Sequence, residues 1–133
     1  MSAERAVYLD ASAIVKLVVR EPESAALRRY LRRKRPLLTS ALVRTEVARA
    51  LIPAGPEAVS RGFDVLRRID VVRLNDRILN AAGTMLPADL RSLDAIHLAT
   101  AHAVGSDLGR ICTYDERLAA AATASGLAVA API

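Results

Sequence analysis

Short apolar runs of four or five residues alternate along this chain with longer stretches in which apolar positions recur at helical spacing. The strand-like runs cover residues 6–9, 37–39, 71–74, 110–114 and 127–130. The helical patterns cover 12–19, 24–33, 41–51, 57–68, 75–86, 93–104 and 116–125. Turn chemistry separates them: Pro53-Ala54-Gly55-Pro56 breaks the chain after the third helix, Pro87 and Ser92 bracket entry to the sixth, and Gly126 stops the last. Ser40 is the expected N-cap of the 41–51 helix. Strands alternating with helices predict an α/β fold around a mainly parallel sheet of about four to five short strands. A single domain spanning residues 1–133, without repeat or linker, accounts for the whole pattern. In such a sheet ligands bind outside the carboxyl ends of the strands.

Four acidic residues interrupt the apolar pattern. Asp10 closes the first strand-like run and Asp115 the fourth, while Glu46 and Asp94 lie inside Ala-rich helical segments. Ionised carboxylates in apolar surroundings require neutralisation. Several of them together repel one another, and a hard divalent cation is the usual remedy. Each also has a plain structural reading. Asp10 and Asp115 are placed to cap the helices that follow them. Asp94 suits the first turn of a helix, where the dipole favours an anion, and Glu46 could pair with Arg44 or Arg49. At about 100° per residue, however, Glu46 falls at the edge of the apolar face made by Leu42, Val43, Val47, Ala50 and Leu51. The helix holding Asp94 is apolar nearly all round, the mark of a buried helix. Ser12 is either a cap or a hydroxyl orienting Asp10. Thr113 and Asp115 are expected on one side of the fourth strand, two residues apart.

Composition narrows the classes. Hydrophobic residues make up 53% of the chain, but Trp is absent, Phe63 stands alone and there are three Tyr, so an aromatic base-stacking platform is excluded. Tyr114 could stack on a base or be buried beside the sheet. The net charge of +5 is carried almost wholly by Arg, since only Lys16 and Lys34 are lysines. Four acids gathered at one site would leave the remaining surface more cationic still. Arg28, Arg29, Arg32, Arg33, Lys34 and Arg35 form a basic segment that could track an RNA backbone, although charge runs are more often solvated surface. Cys112 is the only cysteine, so no intrachain disulfide forms and a cytoplasmic, reducing setting is expected. Neither a signal-peptide pattern nor a membrane span is evident. His97 and His102 lie about 140° apart on a helix and cannot chelate together; His97, near Asp94 in projection, is expected to pack or hydrogen-bond.

The segments Tyr8-Leu9-Asp10-Ala11-Ser12-Ala13, Thr45-Glu46-Val47, Leu93-Asp94-Ala95-Ile96-His97-Leu98-Ala99-Thr100-Ala101 and Thr113-Tyr114-Asp115-Glu116-Arg117-Leu118 occur in this order. Together they make the chain resemble the PIN-domain family, and within it the VapC-type toxins of bacterial toxin–antitoxin pairs. The resemblance implies an α/β/α fold, a Mg²⁺- or Mn²⁺-dependent endoribonuclease, homodimers, and a cognate antitoxin whose tail occludes the site, often with a basic side chain. It carries catalytic roles onto Asp10, Glu46, Asp94 and Asp115, with Ser12 and Thr113 in support. The expected metal ligands are Asp10, Asp94 and Asp115, with Glu46 binding through water or orienting it. Arg28, Arg32, Arg33 and Arg35 are secondary RNA-contact candidates that the resemblance does not supply. A strand-end aspartate phosphatase of the haloacid-dehalogenase type is disfavoured, because Ser12 stands where that chemistry needs a second Asp. A nucleotide-binding domain lacks its Gly-rich loop. A non-catalytic RNA- or protein-binding module on the same fold is the remaining alternative.

Overall fold

The computed structural model describes residues 5–133; Met1 and the rest of the first four residues of the expected domain lie outside the described residues. Five strands, β1 (Ala6–Leu9), β2 (Leu37–Ser40), β3 (Asp70–Val72), β4 (Leu108–Cys112) and β5 (Val129–Ala130), form one sheet in the order β3-β2-β1-β4-β5. Every pairing is parallel. The helices are α1 (Ala11–Val18), α2 (Ser24–Leu31), α3 (Val43–Leu51), α4 (Pro56–Leu66), α5 (Asp76–Gly83), α6 (Ser92–Val104) and α7 (Glu116–Ala124), with 3-10 turns at Ile52–Ala54 and Gly105–Asp107.

Both faces of the sheet are covered, and β1 shows how. All four of its residues are buried, as expected of a central parallel strand. Its alternation sends Val7 and Leu9 to one face, where they pack with Ile14 of α1, Leu27 of α2, Val47 of α3 and Ala58 of α4. Tyr8 points to the other face, with Leu98 of α6 and Leu118 of α7. The layering is α/β/α. A parallel chain that winds outward from β1 to β3 and then restarts on the other side of β1 at β4 has its switch point between β1 and β4. There, beyond the carboxyl ends, neighbouring connections diverge and leave a crevice.

Boundaries differ from the sequence reading in instructive ways. Strand β4 is set two residues earlier than 110–114, ending at Cys112, so Thr113 and Asp115 are not a strand's alternating pair. Asp115 instead caps α7, and the strand stops where its side-chain oxygen takes over the orphan amides of the helix. Ser40 closes β2 rather than capping a helix at 41; its hydroxyl accepts the Leu42 amide at 3.1 Å while α3 begins at Val43. Helix α5 ends at Gly83, three residues before the expected stop. Among the described residues no helix is long and apolar enough to cross a membrane.

Candidate functional site

The β1/β4 register builds the centre of the site. Leu9 lies opposite Cys112, so the residues that follow, Asp10 and Thr113, emerge side by side at the carboxyl edge. The Thr113 hydroxyl donates to Asp10 Oδ2 at 2.7 Å. Asp10 is also the N-cap of α1: its Oδ1 accepts the Ala13 amide at 3.1 Å and the Ser12 hydroxyl at 2.7 Å. Ser12 Oγ in turn accepts the Tyr114 amide at 2.9 Å, which ties the start of α1 to the connection after β4. Ser12 is therefore both a structural tie and a group that orients Asp10.

Asp10 is only 4% exposed. Burial raises its carboxyl above the ordinary aspartate range, against the opposing pull of the hydrogen bonds from Thr113, Ser12 and Ala13. A carboxylate offers about four lone-pair sites, and three are taken here. One remains for a further partner.

Asp115 repeats the capping device on α7, with Oδ1 accepting the amides of Arg117 at 2.9 Å and Leu118 at 3.2 Å. Its own amide donates to Thr113 Oγ1 at 3.1 Å. Thr113 thus stands between Asp10 and Asp115 and contacts both. Asp94, 6% exposed on the first turn of α6, receives Arg91 Nε at 3.3 Å on Oδ2. The same guanidinium reaches Asp115 Oδ2 at 3.9 Å through Nη2. Arg91 therefore supplies positive charge between two of the four acids.

Glu46 approaches from α3. Its Oε1 sits 2.7 Å from Nε2 of His97, a buried residue one turn beyond Asp94 on α6. The other ring nitrogen, Nδ1, is 2.7 Å from the Tyr8 hydroxyl. Burial, reinforced by the charges of Asp10 and Glu46, raises the Tyr8 phenol far above its ordinary range, so it keeps its proton.

Asp10 is thus linked to Asp115 through Thr113, and Asp94 to Asp115 through Arg91. Glu46 is held apart from these three, on His97. Among the described residues no three acid, cysteine or histidine side chains are close enough, as they lie, to ligate one ion. In chemistry the donor set fits a hard divalent cation, because every candidate atom is an oxygen. The guanidinium between Asp94 and Asp115 marks where positive charge is needed.

Other sequence candidates lie apart. Arg35 lies two residues before β2, and the neighbouring Pro36 carbonyl accepts the Val7 amide at the amino end of β1, the edge opposite Asp10. Arg28 donates to the Leu17 carbonyl at 3.3 Å. The 28–35 segment is not brought to the acids. Tyr114 is half-buried, donates to the Pro132 carbonyl at 2.7 Å and lies under Lys16 Nζ, 4.8 Å from the ring centre. The buried Cys112 thiol is pushed up to about 12 by burial and by the Asp10 charge, so it stays protonated and unreactive. His102 bonds the Ser125 hydroxyl at 3.0 Å, away from His97.

Two members of the site were not singled out from the sequence. Arg91 precedes Asp94 by three residues, a helix-neighbour spacing that was available as a signal. Tyr8 carries the only side-chain polar atom in an otherwise aliphatic strand.

Comparison with known proteins bears on the family and the fold. The PIN domain family matches residues 7–124. The chain is 58% identical over 127 residues to Ribonuclease VapC46 of Mycobacterium tuberculosis, covering 96% of this chain and 98% of that relative. It is 44% identical over 130 residues to Ribonuclease VapC35 of the same species, covering 95% and 96%. Among solved structures, Mycobacterium tuberculosis VapC20, a sarcin-ricin loop cleaving toxin, matches with TM-score 0.76 at 17% identity over 95% of this chain and 99% of that one. A toxin–antitoxin complex from Klebsiella pneumoniae matches with TM-score 0.72 at 19% identity, covering 96% and 98%. At those identities the structural matches speak for the fold, and the sequence matches carry the family. This chain belongs to the PIN domain family.

Proposed function

We propose that this protein is a metal-dependent endoribonuclease acting as the toxin of a toxin–antitoxin pair. What supports the reading is the linkage of Asp10 and Asp115 through Thr113, and of Asp115 and Asp94 through Arg91, with Glu46 held by His97 one turn along α6 from Asp94. The names of the relatives, ribonucleases matched along nearly their full length, give the same direction.

Asp10, Asp94 and Asp115 would hold Mg²⁺ or Mn²⁺ through carboxylate oxygens. Such an ion supplies Lewis-acid polarisation of a phosphodiester and eases deprotonation of water near neutral pH. The remaining work belongs to the chain. Thr113 and Ser12 fix the plane of the Asp10 carboxylate by donating one hydrogen bond to each of its oxygens. Asp115, held by two backbone amides on one oxygen, keeps the other directed at the crevice. Glu46 keeps one oxygen on His97 and has the second for orienting a nucleophilic water or its proton. Arg91, half exposed and held by one hydrogen bond to Asp94 and a longer ion pair to Asp115, can turn from the acids to an incoming phosphate, for which a guanidinium is suited.

A partner protein that presents a basic side chain to the same crevice would inhibit by replacing Arg91 and the cation together. We assign that role to a cognate antitoxin; the Klebsiella pneumoniae neighbour, solved as a toxin–antitoxin complex, supports such an assembly. The Arg-rich 28–35 segment, at the other edge, would extend phosphate contacts along a longer RNA.

The test is cleavage of a structured RNA by purified protein with Mn²⁺ or Mg²⁺, with chelator, and after Asp94→Asn. Cleavage that needs the cation and is lost in the variant is expected. Cleavage surviving both treatments would refute the assignment, and a protein that binds RNA without cutting it would instead be a non-catalytic module.

A further inference from the structure

Tyr8, His97 and Glu46 come from β1, α6 and α3, and are separated by 89 and 51 positions in the chain. They form an unbroken hydrogen-bonded line in which both contacts are 2.7 Å. Tyr8 is fully buried and His97 is 3% exposed, so water cannot replace either partner. The two rings meet edge-on at 79°, which aims the phenol oxygen at the ring nitrogen rather than at the ring face.

The direction of the line follows from donors and acceptors. The phenol has one hydrogen to give. Among the described residues the phenol oxygen has one hydrogen-bond partner, His97 Nδ1 at 2.7 Å, while the Ser40 hydroxyl accepts the Leu42 amide. Thr100 gives its hydrogen to the Ile96 carbonyl at 2.6 Å and so has none to offer the phenol oxygen. The Tyr8 hydrogen therefore goes to His97 Nδ1. A neutral imidazole that accepts on Nδ1 must carry its own hydrogen on Nε2, and Nε2 is the atom that faces the Glu46 carboxylate. The opposite tautomer would set a lone pair against that anion.

We propose that Tyr8 and His97 are positioning residues: Tyr8 selects the Nε2–H tautomer of His97, and His97 holds Glu46 in the orientation that leaves its second oxygen for the substrate side. The proposal rests on the nuclease reading for its consequence in turnover, but not for the tautomer itself. A wrong tautomer in such a relay leaves geometry intact and still disables it.

Two measurements decide the matter. Long-range proton–nitrogen NMR of the metal-free protein at pH ~8, above the ordinary histidine range, reports which ring nitrogen carries the hydrogen. In the wild type, Nε2 is expected protonated and Nδ1 bare, and Tyr8→Phe is expected to weaken that bias, leaving the Glu46 carboxylate as its remaining source. In RNA cleavage with Mn²⁺, Tyr8→Phe and His97→Leu are expected to lower kcat by ~10–100-fold, the usual cost of removing an outer partner, with KM unchanged. His97→Gln, which keeps an N–H for Glu46 and a carbonyl for Tyr8, is expected to recover most of that loss. A wild-type ring protonated on Nδ1, or on both nitrogens at that pH, overturns the proposal, as does a His97→Leu enzyme with wild-type kcat. A wild-type protein that cuts no RNA defeats the nuclease reading alone, because the tautomer is then still decided by the spectrum.

Discussion

Replacing Asp10 with Asn should abolish activity and make the protein more stable. The wild-type carboxylate is buried and accepts three hydrogen bonds, at 2.7, 2.7 and 3.1 Å. Hydrogen bonds to a charged group return roughly 1.5–3 kcal/mol each, while removing an ion from water costs several kcal/mol even after relaxation. Its raised pKa says that desolvation prevails. Asn keeps an acceptor for Ser12 and Ala13, and the Thr113 hydroxyl can rotate to accept from the new amide. The net gain should be ~1–2 kcal/mol at neutral pH without metal, or about 3–8 °C in Tm for a domain of this size. The pH dependence has a definite sign. A folded-state pKa above the unfolded one contributes stability that is complete below the unfolded value, about 3.9, and is lost as pH rises through the folded one. The difference between Asn and wild type should therefore be small near pH ~4 and grow toward pH ~7. Thermal melts of both proteins in chelator across that range measure it. Adding Mn²⁺ at ~100 times its dissociation constant should then raise the wild type alone, by ~2.7 kcal/mol. Equal melting temperatures at neutral pH, or a gap that does not shrink on acidification, would show that the Asp10 carboxylate is not the strained group described above.

Arg91→Gln should tighten Mn²⁺ binding by ~2–5-fold, the scale of a half-exposed ion pair, because it removes the resident cation at Asp94 and Asp115; titration calorimetry that finds weaker binding would contradict that competition. Cys112, buried with its thiol pushed up to about 12, should resist alkylation in the native protein and react only on unfolding, as mass spectrometry with and without denaturant would report. Neutralising Arg32 and Arg33 should reduce the slope of log affinity against log salt for a long RNA by ~1–2; an unchanged slope would make the segment plain solvated surface.

The sequence pattern carried the fold well because a parallel α/β chain writes each strand as a short apolar run between helices. All five strands and seven helices are where periodicity placed them, within a few residues. The four acids stood out for a related reason: a carboxylate against an aliphatic background demands an explanation. What periodicity could not convey was the partner of each polar atom. His97 was expected to pack or hydrogen-bond, but its neighbours Tyr8 and Glu46 come from distant elements that only the tertiary fold brings together. Arg91 looked like one more surface cation in a chain rich in Arg. The Thr113–Asp115 relation was misplaced by assuming that the strand continued, whereas the cap ended it.

The adjacency of β1 and β4 has a consequence for biosynthesis. The first strand leaves the ribosome early, yet its terminal aspartate acquires its Thr113 partner only after more than a hundred further residues have been added. No amino-terminal fragment ending before that threonine can complete the crevice, and Asp115 follows later still. Whatever the finished site does to RNA, it can do nothing until both Thr113 and Asp115 have been made.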